Sequence, residues 1–213
     1  MQKLLIATKN KGKINELREF LSDLPVELVS LLDVDITSDV EENGKNYEEN
    51  SQKKALFYSK LANLPAIADD SGLEIAALGG APGIKSRRWV GHDATDEELI
   101  EHLKKIAKEL PEDNRDALFR SVVSFALPDG KVFSVEGVIN GIIAREPEMS
   151  LLEGYPYRSF FYLPEIQKFY HESDLSPEEM KRYNHRYIAI QKLKPILEEE
   201  LGINPSVNSG QGK

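Results

Sequence analysis

Two adjacent aspartates, Asp69 and Asp70, stand in the run Ala68-Asp69-Asp70-Ser71-Gly72, which follows a short apolar stretch and is placed by it at a strand end. Neighbouring carboxylates repel one another unless a cation or a proton holds them. Mg²⁺ takes one or two carboxylates and fills its shell with water and substrate phosphate oxygens. A carboxylate left over can take a proton from water. The competing reading of these residues is an Asx-type turn. Glu41-Glu42, in an acidic loop, could add metal carboxylates or be only a solvated charge run.

The cations that an anionic substrate would need are gathered at a few points. Thr8-Lys9-Asn10-Lys11-Gly12-Lys13 lies between an apolar run and a helical pattern. A strand entering a helix through a small polar turn presents free N–H groups and the positive helix end, and three lysines add charge. This suits a phosphate chain, although it is no Walker A loop, which would need an earlier Gly and a Ser or Thr after Gly12-Lys13. A solvated helix start is the plainer alternative. The glycine loop Gly79–Gly83 leads into Lys85-Ser86-Arg87-Arg88-Trp89, which suits phosphate or subunit contacts or is a surface loop. Tyr155 and Tyr157 could stack on a base, and His185-Arg186 could donate to a base carbonyl; core packing and helix capping are the alternatives.

Alternating elements would position these residues. Lys3–Thr8 and Val26–Leu31 read as strands around a helix over Lys11–Leu21. Asn46 with Glu49 resembles a capping box that opens a helix presenting Tyr47, Ser51, Ala55, Tyr58 and Ala62 on one face. Pro65–Asp69 and Ser71–Leu78 read as two short strands. Thr95 with Glu98 caps a helix carrying Leu99, Leu103, Ile106 and Leu110. Asp116–Leu127 and Lys131–Ala144 form a long hairpin around Pro128-Asp129-Gly130. Glu146–His171 reads as irregular, Ser176-Pro177 starts a short helix, and a last helix over His185–Leu201 should be kinked or split at Pro195. Strands alternating with helices, followed by a hairpin, predict an α/β fold with a mixed sheet.

The 213 residues suit one domain, 1–201, with a disordered tail over 202–213. No apolar run reaches the roughly 20 residues of a membrane helix, and no signal peptide is evident, so the cytoplasm is expected. The absence of Cys excludes a disulfide framework and thiolate chemistry, and a net charge of −9 disfavours nucleic acid.

Together these segments resemble the inosine triphosphate pyrophosphatase family, which hydrolyses non-standard purine nucleoside triphosphates. The matching pieces are Ala7-Thr8-Lys9-Asn10 with Lys13 and Glu16, Glu41-Glu42, Glu49-Asn50-Ser51 with Lys54-Ala55, Ala68–Leu73, Leu78–Gly83 with Ser86 and Arg88, and His185-Arg186. The resemblance implies a two-lobed α/β fold with an elongated mixed sheet flanked by helices, a cleft between the lobes and a homodimer. It implies Mg²⁺ as cofactor and a nucleoside triphosphate as substrate, with ITP, dITP or XTP cut to the monophosphate and pyrophosphate. By carry-over, Thr8 to Lys13 hold phosphates, Asp70 accepts the proton and contacts metal, and Ser71 contacts substrate. Glu42 is a metal ligand, with Glu41 and Asp69 beside the metal, while His185 and Arg186 face the purine.

The departures fall where the base would sit. The family's Gly-Phe-Gly-Tyr-Asp-Pro is here Gly154-Tyr155-Pro156-Tyr157-Arg158-Ser159, so an aromatic ring is kept at Tyr155 and the acidic position has become Arg158. The family's Lys falls on Met180, and the residues flanking His-Arg are Asn184 and Tyr187. A relative with shifted base preference and a nucleotide-binding protein without turnover are the readings to set beside the main one.

Overall fold

The computed structural model describes residues 1–148, 154–171 and 174–203. Seven strands form one mixed sheet in the order β2-β1-β3-β4-β5-β6-β7. They are β1 (Gln2–Ile6), β2 (Val26–Ser30), β3 (Ala66–Ile75), β4 (Asp116–Ala126), β5 (Val132–Ile143), β6 (Phe161–Leu163) and β7 (Lys168–Phe169). The helices are α1 (Lys11–Phe20), α2 (Tyr47–Ala62), α3 (Asp96–Glu109), α4 (Pro177–Arg182) and α5 (His185–Glu200). β1 is parallel to both β2 and β3, and β5, β6 and β7 pair antiparallel in turn. The α/β fold with a mixed sheet is therefore the one read from the sequence.

Two compact units divide the chain. The first comprises Met1–Asp70, Val122–Glu136 and the chain from Ala189 onward; the second comprises Ser71–Ser121 and Gly137–Ile188. In the first unit α1 connects β1 to β2, and α2 connects β2 to β3 past β1. Right-handed crossovers in these opposite directions put α1 and α2 on opposite faces of the sheet. The core follows: Leu5, Ala7, Ala66 and Ala68 pack with Ala55 and Tyr58 of α2. Because side chains alternate along a strand, Asp70 continues the face of Ala66 and Ala68, while Asp69 continues that of Ile67.

In the second unit β3, α3, β4 and β5 enclose Leu73, Ile75, Leu99, Leu103, Phe119, Ile139 and Phe161. Thr95 and Glu98 form both halves of a capping box at α3, and Ser176 and Glu179 do the same at α4. Buried Arg115 donates to the carbonyls of Ala107, Leu110 and Ile143, closing the end of α3 that its own helix leaves unsatisfied.

Two expectations are corrected. The two short strands around Asp70 are one ten-residue strand, so Asp69 to Gly72 lie inside β3 and form neither a strand end nor a turn. The irregular stretch Glu146–His171 contains β6 and β7, which at three and two residues are too short to show alternation. Of the two outcomes expected at Pro195 the split is excluded, since the residue lies inside one continuous α5 between the fully buried Leu193 and Leu197. Most of the expected tail, 204–213, lies outside the described residues.

Candidate active site

Pairing between β1 and β3 ends at Ile6↔Ile67, and Ala7 N–H still donates to Ile67 O at 2.8 Å. β3 runs on, so Asp69 and Asp70 emerge where β1 turns into α1. This is the switch point of the parallel strands, where open α/β sheets bind ligands. Asn10 is the N-cap of α1: its Oδ1 accepts from Lys13 N–H at 3.0 Å, and its own N–H donates to Thr8 Oγ1 at 3.2 Å. The cap fixes the helix start, and the Lys13 ammonium reaches the fully buried Asp69 carboxylate at 2.7 Å. Lys9 turns to Thr37 O and Asp39. Lys11 and Gly12 open the helix beside them.

On the other face, α2 sends Asn50 and Lys54 to the cluster. Asn50 Nδ2 donates to Asp70 Oδ2 at 3.0 Å. Lys54 Nζ lies 2.8 Å from Glu42 Oε2, 2.9 Å from Asp69 O and 3.7 Å from Asp70 Oδ1. Burial pushes the Asp70 carboxyl above its ordinary value; Lys54, Lys13 and the Asn50 amide oppose this, Glu42 adds to it, and the net direction is upward. Burial alone would lower the Lys54 ammonium, but Asp70, Glu42 and Asp69 outweigh it and hold it above its ordinary value. Buried carboxyls shifted toward proton uptake beside paired charges occur in structural ion-pair networks and at catalytic sites alike, which makes Asp70 a candidate for acid–base work.

Glu42 and Asp70 converge on one positive charge, and hard oxygen donors of this kind suit Mg²⁺. Among the described residues no group of three or more His, Asp or Glu has metal-holding geometry. Water and substrate phosphate oxygens would have to complete the shell of an ion held here. Glu41 is exposed, and its carboxylate accepts from the Asn43 amide at 3.0 Å.

In the second unit, Arg186 Nη2 donates to Ser71 Oγ at 3.1 Å. Asn184 Oδ1 accepts from the N–H groups of Arg186 and Tyr187 at 2.9 and 3.0 Å, so Asn caps α5 as well as Ser would. His185 stacks on Phe119, with centroids 5.1 Å apart, and meets the edge of Tyr170. Arg158 is 4% exposed, and its guanidinium carbon lies 3.7 Å over the Tyr155 ring and 4.5 Å over that of Tyr170. The arginine thus occupies a face of the ring expected to stack on a base. Arg88 is exposed at the end of the Gly83–Arg88 turn. Ser86 binds that turn to β3, accepting from Leu73 N–H at 3.1 Å and donating to Gly83 O at 2.6 Å.

The sequence model of the Ham1 family matches residues 4–196. The chain belongs to the Ham1 family. It is 37% identical over 195 residues to the dITP/XTP pyrophosphatase of Desulforamulus reducens, covering 92% of this chain and 95% of that protein. Over 199 residues it is 38% identical to the dITP/XTP pyrophosphatase of Escherichia coli (strain K12), covering 92% and 98%. Among solved structures, the HAM1 protein from Coxiella burnetii superposes with a TM-score of 0.80 at 34% identity, over 93% of this chain and 100% of that one. The Ham1 protein from Staphylococcus aureus gives 0.78 at 35%, with the same coverage.

Within this Ham1 chain the structure brings together Lys13 with Asp69, Glu42 with Asp70, Ser71 with Arg186, and Tyr155 with Arg158. Sequence reasoning left Asn50 and Lys54 out of the site. Both fall on the buried stripe of α2, and two strongly polar residues at positions 50 and 54 of that stripe were the available signal.

Proposed function

We propose that this chain hydrolyses non-standard purine nucleoside triphosphates, ITP, dITP and XTP, to the nucleoside monophosphate and pyrophosphate, as a Mg²⁺-dependent enzyme of the cytoplasm. The observation that carries the reading is the buried Asp70 carboxylate, shifted toward proton uptake and set beside Lys54 and Glu42 in a Ham1 chain. Relatives named dITP/XTP pyrophosphatases support the substrate class.

Glu42 and Asp70, with Asp69 adjacent, would hold Mg²⁺, which when bound neutralises phosphate charge and lowers the pKa of water. The N–H groups at the start of α1, with Lys13, bind phosphate oxygens, since both present positive charge to an anion. Asp70 takes the proton of the water that attacks the α-phosphate, and the lysines offset the charge of the departing pyrophosphate. Ser71 contacts the substrate, and His185 and Arg186 donate to a keto base.

The buried Arg158 favours a second reading, a shifted base preference. Arg donates only, so a 6-keto or 2-keto oxygen is favoured over an amino group wherever its edge is reached. Pyrophosphate release from a panel of dITP, XTP, dATP, dGTP, dCTP and dUTP tests both readings. A preference for dITP and XTP supports the first, a preference for another keto base the second, and no turnover overturns both.

A further inference from the structure

Asn50 is 1% exposed, and both ends of its amide are engaged. Gly44 N–H donates to Asn50 Oδ1 at 2.7 Å, and Asn50 Nδ2 donates to Asp70 Oδ2 at 3.0 Å. A backbone N–H can only donate, so the amide oxygen must face Gly44 and the NH₂ must face Asp70. That Asp70 oxygen is thereby kept as an acceptor, while Oδ1 is the one near Lys54. Gly44 is needed for space: a Cβ there would lie 2.6 Å from Asn50 Oδ1 and 2.8 Å from Glu49 Cβ. Gly44 also stands two residues from Glu42, which meets Lys54 at 2.8 Å.

We propose that Asn50 and Gly44 form a clamp in which one amide ties the Glu42 loop to Asp70 and sets the two carboxylates in register; Asn50 is a positioning residue for the hydrolysis. The inference rests on the pyrophosphatase reading of Asp70. A second tie between the same loop and helix, from Lys53 Nζ to Asn43 Oδ1 at 2.6 Å, does not involve Asp70 and serves as the control.

The test compares wild type, Asn50→Ala, Asn50→Asp, Gly44→Ala, Lys53→Met and Asp70→Asn. It measures kcat and KM for dITP, thermal unfolding, and Mn²⁺ binding to the substrate-free protein by electron paramagnetic resonance. In Asn50→Asp two acceptors would face Asp70 and Gly44; Gly44→Ala forces the loop away without removing a polar group. Both should lose about tenfold to a hundredfold in kcat, with KM within about threefold, and the variants that add no charge, Gly44→Ala and Asn50→Ala, should also bind Mn²⁺ more weakly. Lys53→Met should match wild type in all three. Folded Gly44→Ala and Asn50→Ala with wild-type kcat and Mn²⁺ affinity, beside a dead Asp70→Asn, would overturn the clamp alone. Normal turnover by Asp70→Asn would overturn the catalytic reading and the clamp with it. Lower melting points with unchanged kcat would reduce Asn50 to a structural role and defeat the proposal.

Discussion

The two units hold their polar clusters by different physics. In the first, carboxylates and ammonium groups meet directly: Asp69 with Lys13, Glu42 and Asp70 with Lys54. In the second, planar polar side chains are held against rings: Arg158 over Tyr155 and Tyr170, and His185 against Phe119. Point charges at short range suit a polyanion and its cation, whose position must be fixed for chemistry. Stacked planar groups suit a heterocycle, for which shape and edge donors decide preference. The first cluster should therefore control rate and the second selectivity, and each substitution below asks whether that division holds.

The largest effect is expected at Asp70. Asp70→Asn keeps the shape, removes the proposed proton acceptor, and should cost about 10²–10⁴ in kcat for every base alike, with a wild-type melting transition. Stopped assays with dITP and XTP measure it; a base-dependent loss would break the division. Next is Lys54→Met, which leaves Glu42 and Asp70 facing each other without their shared cation. It should destabilise the fold by about 3 kcal/mol in urea denaturation, the low end for a broken buried pair, because Asp70 can take up a proton.

Arg158→Ala should act on the second cluster only. Removing a buried donor is worth about 1–3 kcal/mol, so the preference for dITP over dATP, read as a ratio of kcat/KM values, should change by about tenfold or more while kcat for dITP holds. An unchanged ratio would show that Arg158 is packing and no reader. The smallest effect is electrostatic. Hydrogen bonds from Thr95 N–H, then from His92, hold Glu98 below the ordinary glutamate value of 4.5. A depressed folded-state value contributes stability above that ordinary value and loses it as pH falls through the lower, folded one. Thermal melts of wild type and Glu98→Gln should differ slightly near neutral pH and converge in acid, with dITP turnover near neutrality unaffected.

Much of the first cluster was legible because its residues sit at breaks in strong patterns. An apolar strand running into three lysines, and two aspartates after Ala66–Ala68, stand out against base composition. β3 itself was misread as two strands because Asp69, Asp70, Ser71 and Gly72 are poor strand formers, yet β3 runs on through them past the end of its pairing with β1, in a sheet whose next strand is β4. Asn50 and Lys54 were passed over for a related reason: a buried stripe of α2 is read from its apolar members, and its polar members show their role only once Gly44, Glu42 and Asp70 are in place. The second cluster was legible only as a set of residue types. Its geometry depends on β6 and β7, too short for periodicity, and on Arg158, whose stacking between tyrosines no spacing rule encodes. Of the kink or split expected at Pro195, the split does not occur: α5 continues through it, with Leu193 and Leu197 fully buried on either side.

The proposed attack at the α-phosphate makes pyrophosphate the leaving group. Chromatography of a complete dITP digestion by the wild-type protein with Mg²⁺ tests it directly. Equal amounts of dIMP and pyrophosphate, with no dIDP at any time point and no turnover in excess chelator, are predicted. Accumulation of dIDP with inorganic phosphate, or full activity in chelator, would contradict the account.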